Sequence, residues 1–283
     1  MEKEAQTLLS PLADQLATLG HSQRLALFRL MVRRYPDQVP AGELGASLGV
    51  KPSTLSSYLA SLQRAGLITQ TRHGTSLLYT AELDAVRRMF DGLLGDCCAN
   101  RPDLCFPMPQ GAMTVANRHY NVLFICTGNS ARSIFAETLL RDLGGERFIA
   151  YSAGTTPHSE LNPFAVKVLK DKGHDVSPLY SKNVAEFTGP DAPQLDFVFT
   201  VCNTAANEVC PPWEGQPVSG HWGMPDPVKA TGTDAEKALA FQQAYGALRR
   251  RIEAFVALPV ESLDRIALQT AIDDIAKNHK DFA

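Results

Sequence analysis

The strongest constraint on the fold of this 283-residue chain is an apolar run that leads directly into a cysteine loop. Residues 122–125 read Val-Leu-Phe-Ile, and residues 126–133 read Cys-Thr-Gly-Asn-Ser-Ala-Arg-Ser before a helical pattern begins. A loop between a strand and a helix turns backbone N–H groups toward one point, where the helix dipole favours an anion. We therefore predict an oxyanion-binding cup at this loop.

The cup contains a nucleophile and a cation. Five residues separate Cys126 from Arg132, whose planar guanidinium suits two oxygens of a tetrahedral anion. We expect the positive field to lower the pKa of Cys126, Ser133 to hydrogen-bond its thiolate, and Gly128 to permit a sharp turn. The alternative is a buried structural cysteine beside a surface arginine. The residues predicted to bind the oxyanion are Thr127, Gly128, Asn129, Ser130, Ala131 and Arg132.

Two later cysteines offer redox chemistry. Cys202 follows an apolar strand at residues 197–201, which in a parallel sheet ends at the same edge as Cys126. Cys210 follows in a polar segment, and further thiols are what a reduction needs after the first attack. The alternative for both cysteines is a structural role as a small buried apolar side chain.

Asp226, before Pro227, is a candidate general acid, although Asp-Pro is also a common turn.

The cysteine loop and the Asp-Pro pair resemble those of low-molecular-weight tyrosine phosphatases and of arsenate reductases of the same fold, over about residues 120–275. The reductase resemblance implies a relay in which Cys126 attacks arsenate, Asp226 protonates the leaving oxygen, Cys202 releases arsenite and Cys210 accepts the disulfide. Thioredoxin, or glutathione with glutaredoxin, would supply electrons, with no tightly bound cofactor. Ala131 and Asn203 depart from the cysteine and the acid of some relatives.

Two other interpretations of this half stay open. A tyrosine phosphatase fused to a regulator is one, but phosphatases of the family carry aromatic residues after Asp-Pro, where this chain has Val228-Lys229. The other is a non-enzymatic repressor whose cysteine loop binds oxyanions as effectors. Only the reductase uses both later cysteines.

The N-terminal half has the pattern of short helices followed by a hairpin. Apolar residues recur at helical spacing from Leu12 to Met31, before helices predicted over about residues 42–48, after Pro52 and over 81–94. Strands are predicted at 67–71 and 76–80. This segment resembles the winged-helix repressors of the ArsR/SmtB family over about residues 11–105, which implies a homodimer through the first and last helices. The resemblance also implies contacts with operator DNA, at base edges from Ser53, Thr54, Ser56 and Ser57 and at phosphates from Lys51, Arg64, Arg72 and His73.

Charge supports DNA binding only weakly, since residues 1–96 hold ten Lys or Arg and nine Asp or Glu, a net of +1. A winged helix that binds protein without DNA affinity is therefore the alternative.

Cys97, Cys98 and Cys105 follow the last helix, and three thiolates suit trivalent arsenic. Similar segments occur in arsenite-responsive members of the family. Adventitious linker cysteines are the alternative, and a zinc sensor is disfavoured because its usual ligand sets are missing.

Composition and organisation complete the prediction. A chain that is 45% hydrophobic and 20% charged, with no apolar run of membrane length and no signal core after Met1, is expected to be cytoplasmic. We predict a winged helix-turn-helix domain of α+β class over residues 1–96 and a cysteine-containing sensor and linker over 97–119. An α/β domain with a parallel sheet flanked by helices would follow over 120–283. The whole would be an arsenate reductase fused to an arsenite-responsive repressor.

Overall fold

The computed structural model describes residues 2–93, 119–189, 191–208, 213 and 215–278. The chain divides into two compact units, Met1–Thr114 and Val115–Ala283. Four predicted site residues lie outside the described ranges, namely Cys97, Cys98, Cys105 and Cys210. No helix of the described ranges combines the length and the apolar character that a membrane span requires.

The N-terminal unit has the architecture of a winged helix-turn-helix. Its three-stranded antiparallel sheet has the order β1-β3-β2, and the hairpin pairs Ile68 with Ala81 through to His73 with Ser76. The elements are α1 (Glu2–Leu19), α2 (Ser22–Arg34), β1 (Val39–Pro40), α3 (Ala41–Leu48), α4 (Pro52–Arg64), β2 (Ile68–His73), β3 (Ser76–Ala81) and α5 (Leu83–Gly92).

Local sequence accounts for the helix-turn-helix. Gly49 adopts a left-handed φ of 63° that ends α3, and Pro52 occupies the first turn of α4, where its missing N–H costs no hydrogen bond. The buried positions of α4 recur at helical spacing, at Leu55, Leu59 and Leu62, and belong to one core with Leu30 of α2. The opposite face of α4 is left exposed.

The C-terminal unit is a four-stranded, all-parallel sheet with the order β5-β4-β6-β7, flanked by helices as predicted. Its elements are β4 (Tyr120–Cys126), α6 (Arg132–Gly144), β5 (Phe148–Gly154), α7 (Pro163–Asp171), β6 (Phe197–Thr200), α8 (Asn203–Asn207), β7 (Val218–His221), α9 (Asp234–Val256) and α10 (Arg265–Asn278). Short 3-10 turns cover Gly145–Arg147, Val184–Phe187 and Pro227–Lys229.

The sheet brings the carboxyl ends of its strands to one edge. Cys126 pairs with Gly154 across β4 and β5, and Ile125 pairs with Thr200 across β4 and β6. Beneath this edge the core is aromatic, with the rings of Phe199 and Trp222 stacked at 4.0 Å between centroids. The edge therefore carries both the cysteine loop and the segment that begins at Cys202.

Three elements of this unit have no counterpart in the sequence prediction, namely β7, α8 and α10. Strand β7 reads Val-Ser-Gly-His, without the apolar run that indicates a buried strand. Gly220 accounts for its place, since a Cβ there would lie 2.7 Å from Ile272 Cγ2 of α10 and 2.9 Å from Phe199. The glycine thus lets α10 pack directly against β7.

Candidate active site

The cysteine loop is held through its carbonyl groups by the segment 155–162. Four backbone N–H groups of this segment donate to four loop carbonyls, those of Cys126 at 3.1 Å and of Thr127, Gly128 and Ser130 at 2.9 Å each. On the side of the nucleophile, the N–H of Asn129 donates to Cys126 Sγ at 3.1 Å. The segment 155–162, which sequence reasoning missed, therefore holds the loop by its carbonyls, and the oxyanion-binding role of the loop stays a prediction.

The sharp turn of the loop is made by Asn129 and not by Gly128, so that part of the prediction is wrong. Asn129 has a left-handed φ of 43°, a conformation that asparagine adopts more readily than most residues, and Gly128 is outside the positive-φ region. Gly128 is needed for space, because a Cβ there would overlap the imidazole of His158. Gly154 is needed likewise, since its Cβ would lie 2.6 Å from Thr127 O.

The candidate nucleophile, Cys126, is buried at the end of β4. Its Sγ lies 2.9 Å from Ser133 Oγ. Burial raises the pKa of Cys126 above its ordinary value, and the nearby Cys202 thiol adds to this, against the opposing effects of Ser133, Arg132 and the Asn129 N–H. The predicted lowering of this pKa is therefore wrong for this arrangement, because desolvation outweighs the positive field.

Arg132 and Asp226 contact each other directly. Arg132 Nη2 lies 2.8 Å from Asp226 Oδ2, and Arg132 Nη1 donates to Met224 O at 3.1 Å. Asp226 Oδ1 also accepts the Val228 N–H at 3.2 Å, which fixes the start of the Pro227–Lys229 turn. The carboxylate of Asp226 thus neutralises part of the positive field of Arg132. An oxyanion that binds Arg132 Nη2 has to compete with this carboxylate.

Cys202 lies beside the loop at the same sheet edge. The Val201 N–H donates to Ile125 O at 2.8 Å, which extends the pairing of β4 and β6 to the residue before Cys202. The buried Cys202 Sγ is 3.4 Å from Thr127 Oγ1 and accepts the Ala205 N–H, also at 3.4 Å, at the start of α8. The structure therefore brings two of the three predicted relay cysteines together, whereas Cys210 lies outside the described residues.

A pocket of about 410 Å³ opens beside Asp226. It lies between the Asp-Pro turn and α9, and no aromatic residue is among those that line it. The neighbouring Val228 is 46% exposed. The lining residues are Met224, Pro225, Asp226, Pro227, Lys229, Ala230, Ala240, Gln243 and Ala244.

The eight predicted DNA contacts are all exposed in the N-terminal unit. Four lie on the outer face of α4, two at its ends and two on β2 next to the hairpin turn. Ser56 Oγ donates to Pro52 O at 2.9 Å and Arg72 Nε to Gly74 O at 3.1 Å, so these two side chains have local partners. The residues are Lys51, Ser53, Thr54, Ser56, Ser57, Arg64, Arg72 and His73.

The arsenite site predicted at Cys97, Cys98 and Cys105 lies outside the described residues. Within the part of the chain that the structure describes, no cluster of three His, Cys, Asp or Glu side chains is arranged to hold a metal ion.

Comparison with known proteins identifies relatives of the C-terminal unit and, at low TM-scores, solved structures similar to parts of the chain. An arsenate reductase of Halalkalibacterium halodurans is 39% identical over 134 residues, which are 47% of this chain and 93% of that protein. The thioredoxin-dependent arsenate reductase of Corynebacterium glutamicum is 23% identical and covers 74% of this chain and 90% of its own, with a TM-score of 0.36. The transcriptional repressor BigR of Xylella fastidiosa is 24% identical over 34% of this chain and 97% of its own, with a TM-score of 0.27.

These TM-scores are too low for either structural likeness to establish an activity. The family model of the low molecular weight phosphotyrosine protein phosphatases matches residues 121–267, which is more than half of the chain. Because this match agrees with the 39% identity over nearly the whole length of a curated relative, the chain belongs to the low molecular weight phosphotyrosine protein phosphatase family.

Proposed function

We propose that the C-terminal unit reduces arsenate to arsenite by a thiol relay and that the N-terminal unit is an arsenite-responsive repressor. The observation that carries the enzymatic half is the position of two thiols at one sheet edge, with Thr127 Oγ1 3.4 Å from Cys202 Sγ. A phosphatase needs one cysteine in its cup, whereas a reductase needs a second one within reach. Identity to arsenate reductases over the same unit supports the same conclusion.

In the first step the thiolate of Cys126 attacks arsenic, and an arsenate oxygen leaves as water. Backbone N–H groups of the loop and the start of α6 stabilise the negative charge of the anion. The anion competes with Asp226 for Arg132 Nη2. Once displaced, Asp226 takes up a proton from solvent, and its carboxylic acid group delivers that proton to the leaving oxygen. The product is a Cys126–arsenic(V) adduct.

In the second step the thiolate of Cys202 attacks Cys126 Sγ. The sulfur–arsenic bond breaks, its electron pair stays on arsenic, and arsenite is released with a Cys126–Cys202 disulfide. The hydroxyl of Thr127 is placed to hydrogen-bond the attacking sulfur. In the third step Cys210 attacks Cys202, which frees the Cys126 thiolate and leaves a Cys202–Cys210 disulfide for an external thiol to reduce.

The proposed chemistry uses an external thiol donor and no tightly bound cofactor. We propose thioredoxin, or glutathione with glutaredoxin, as the electron source. The test is arsenate-dependent oxidation of NADPH, coupled through each donor system in parallel. Turnover with neither system would refute the reductase.

A tyrosine phosphatase is the second candidate, favoured by the family model. Against it stands the pocket beside Asp226, whose lining holds no aromatic side chain to grip a phosphotyrosine ring. The variant Cys202→Ser separates the two activities. It is expected to abolish arsenate reduction and to leave any hydrolysis of an aryl phosphate unchanged, because hydrolysis needs Cys126 alone.

The proposal for the N-terminal unit rests on its winged-helix architecture and on the exposed polar face of α4. We propose that a homodimer binds operator DNA in the cell cytoplasm and that arsenite at Cys97, Cys98 and Cys105 releases it. The test is fluorescence anisotropy with DNA from the region upstream of its own gene. If arsenite leaves the affinity for DNA unchanged, the proposed arsenite sensor is refuted. It is also refuted if arsenite lowers the DNA affinity of the Cys97→Ser/Cys98→Ser variant as much as that of the wild type.

A further inference from the structure

A buried ion pair that the relay does not use connects to the cysteine loop. Lys182 is only 5% exposed, and its Nζ lies 3.1 and 3.3 Å from the two carboxylate oxygens of Glu137. The ammonium also donates to Tyr180 O at 3.1 Å and lies 4.4 Å from the centroid of the Tyr180 ring. Buried charges are costly unless they are paired and hydrogen-bonded, so this pair calls for an explanation.

A chain of hydrogen bonds runs from the ion pair to the nucleophile. Ser152 Oγ donates to Glu137 Oε2 at 2.5 Å. Asn129 Nδ2 donates to Ser152 Oγ at 2.8 Å and to Ser133 Oγ at 2.9 Å, and Ser133 Oγ lies 2.9 Å from Cys126 Sγ. The serines and the asparagine are fully or almost fully buried, so no solvent competes for these bonds.

The direction of every bond follows from the chemistry of the groups. A carboxylate only accepts, so the proton of Ser152 points to the ion pair and its oxygen is left to accept from Asn129. The orientation of the Asn129 amide is fixed because its Oδ1 accepts the backbone N–H of Lys182 at 2.7 Å. Ser133 Oγ then accepts from Asn129, and its own proton is left for the sulfur of Cys126. A proton held in that direction favours the thiolate over the thiol.

We propose that Lys182 is a positioning residue for the nucleophile. Its ammonium holds the carboxylate of Glu137 in place, its backbone N–H sets the Asn129 amide, and the result is a Ser133 hydroxyl that donates to Cys126. The inference rests on the proposed function only in taking Cys126 as the nucleophile. Its test therefore measures the thiol itself and not arsenate turnover.

Other groups near the cysteine loop have to stay constant in the test, and Arg132 and Cys202 among them also affect the titration of the sulfur. Arg132 at the start of α6 is paired with Asp226, and Cys202 lies after β6. The ring of His158 lies against Gly128 on the loop. None of these belongs to the chain of bonds from Lys182, so variants in that chain leave them in place.

The experiment is the pH profile of Cys126 alkylation by iodoacetamide in the full chain, with the Cys126 peptide quantified by mass spectrometry. Lys182→Met is expected to move the profile to higher pH by about one unit, so that alkylation well below the pKa slows about tenfold. Lys182→Arg, which keeps a buried cation, is expected to restore most of the rate. The matched control is Lys167→Met, which breaks the exposed Lys167–Asp171 pair on α7 and is expected to leave the profile unchanged.

A second variant covers the case in which Lys182→Met fails to fold. Ser152→Ala cuts the same chain while the ion pair stays intact, and the same upward shift is expected. Folded Lys182→Met and Ser152→Ala proteins with the wild-type profile would overturn the proposal, and if the first does not fold, the second alone decides. A wild-type chain that reduces no arsenate, together with shifted profiles in the variants, would refute the proposed function and leave this inference standing.

Discussion

Asp226 Oδ2 lies 2.8 Å from Arg132 Nη2, so the proposed general acid and the proposed anion-binding cation form an ion pair with each other. In the proposed reaction an arsenate oxygen would bind Arg132 Nη2 in place of this carboxylate oxygen. The pair therefore keeps the carboxylate at the cup and makes anion binding a competition for the guanidinium.

Asp226→Asn is expected to separate binding from catalysis. Loss of the carboxylate charge frees Arg132, so the Kd of phosphate as a substrate analogue is expected to fall. The kcat for arsenate is expected to fall by about 10²-fold, because a general acid contributes at least that much. Isothermal titration and steady-state assays measure the two effects, with the exposed Asp171→Asn as control. An unchanged kcat would exclude the role of Asp226 as acid.

Thr127→Val is expected to slow the second step alone. The variant keeps the backbone of the cup and the β-branched shape but removes the hydroxyl beside Cys202 Sγ. Loss of one such hydrogen bond, worth ~1 kcal/mol, corresponds to about fivefold in rate. Rapid-quench measurement of arsenite release in a single turnover tests it, and Cys126 alkylation is expected to stay at the wild-type rate. If arsenite release and Cys126 alkylation are slowed equally, the substitution has disturbed the cup and not the second step alone.

Gly128→Ala is expected to destabilise the C-terminal unit by about 1–3 kcal/mol, because its Cβ overlaps the His158 ring. In the double variant Gly128→Ala/His158→Ala the overlap is gone, and we expect more than half of the loss to be recovered. Urea unfolding of the four proteins of this cycle gives the coupling energy. The control is Gly246→Ala on α9, whose Cβ meets only Arg250 at 3.7 Å. Additive effects of the two substitutions would contradict the steric explanation.

The place of the cysteine loop between a strand and a helix was predictable because it is local. The apolar strand, the loop and the helix that follows are contiguous from residue 120 to residue 144, and their pattern alone predicts the cup. The same holds for α4, where Pro52 and the spacing of its leucines mark the helix. The prediction that Cys202 lies at the edge of Cys126 also needed only the general rule for parallel strands.

The rest of the site depends on contacts between distant residues. Asp226 is 94 positions from Arg132, and Lys182 is 53 from Asn129, so no local pattern joins either pair. The pKa of Cys126 was predicted in the wrong direction because burial of its sulfur follows from the packed sheet edge and not from the loop sequence. One signal was available, since Asn162-Pro163 is typical of a helix start and marks the end of the segment that holds the loop.

The stability of the C-terminal unit is expected to fall in acid partly through Asp142. Burial alone would raise the pKa of Asp142, but hydrogen bonds from Arg141 and His174 outweigh it and hold the pKa below its ordinary value. A lowered carboxyl pKa stabilises the folded state above the unfolded-state pKa, and this contribution is lost as the pH falls through the folded pKa. Asp142→Asn is therefore expected to lower the urea midpoint at pH 7 and to have little effect near pH 2. A pH-independent difference between the two proteins would contradict this.

Phe90→Glu is expected to dissociate the proposed dimer of the N-terminal unit. Phe90 lies on α5, one of the two helices expected at the interface, and its ring is 53% exposed, which is costly for so large an apolar side chain in an isolated unit. In a two-fold interface each substitution occurs twice, so the variant places two carboxylates in an apolar contact. Sedimentation equilibrium measures the loss of dimer, with Leu77→Glu on the hairpin, 39% exposed, as a control that stays dimeric. Because a dimer reads two half-sites, the affinity for operator DNA is expected to fall as the dimer dissociates. A Phe90→Glu protein that stays dimeric would place the interface elsewhere.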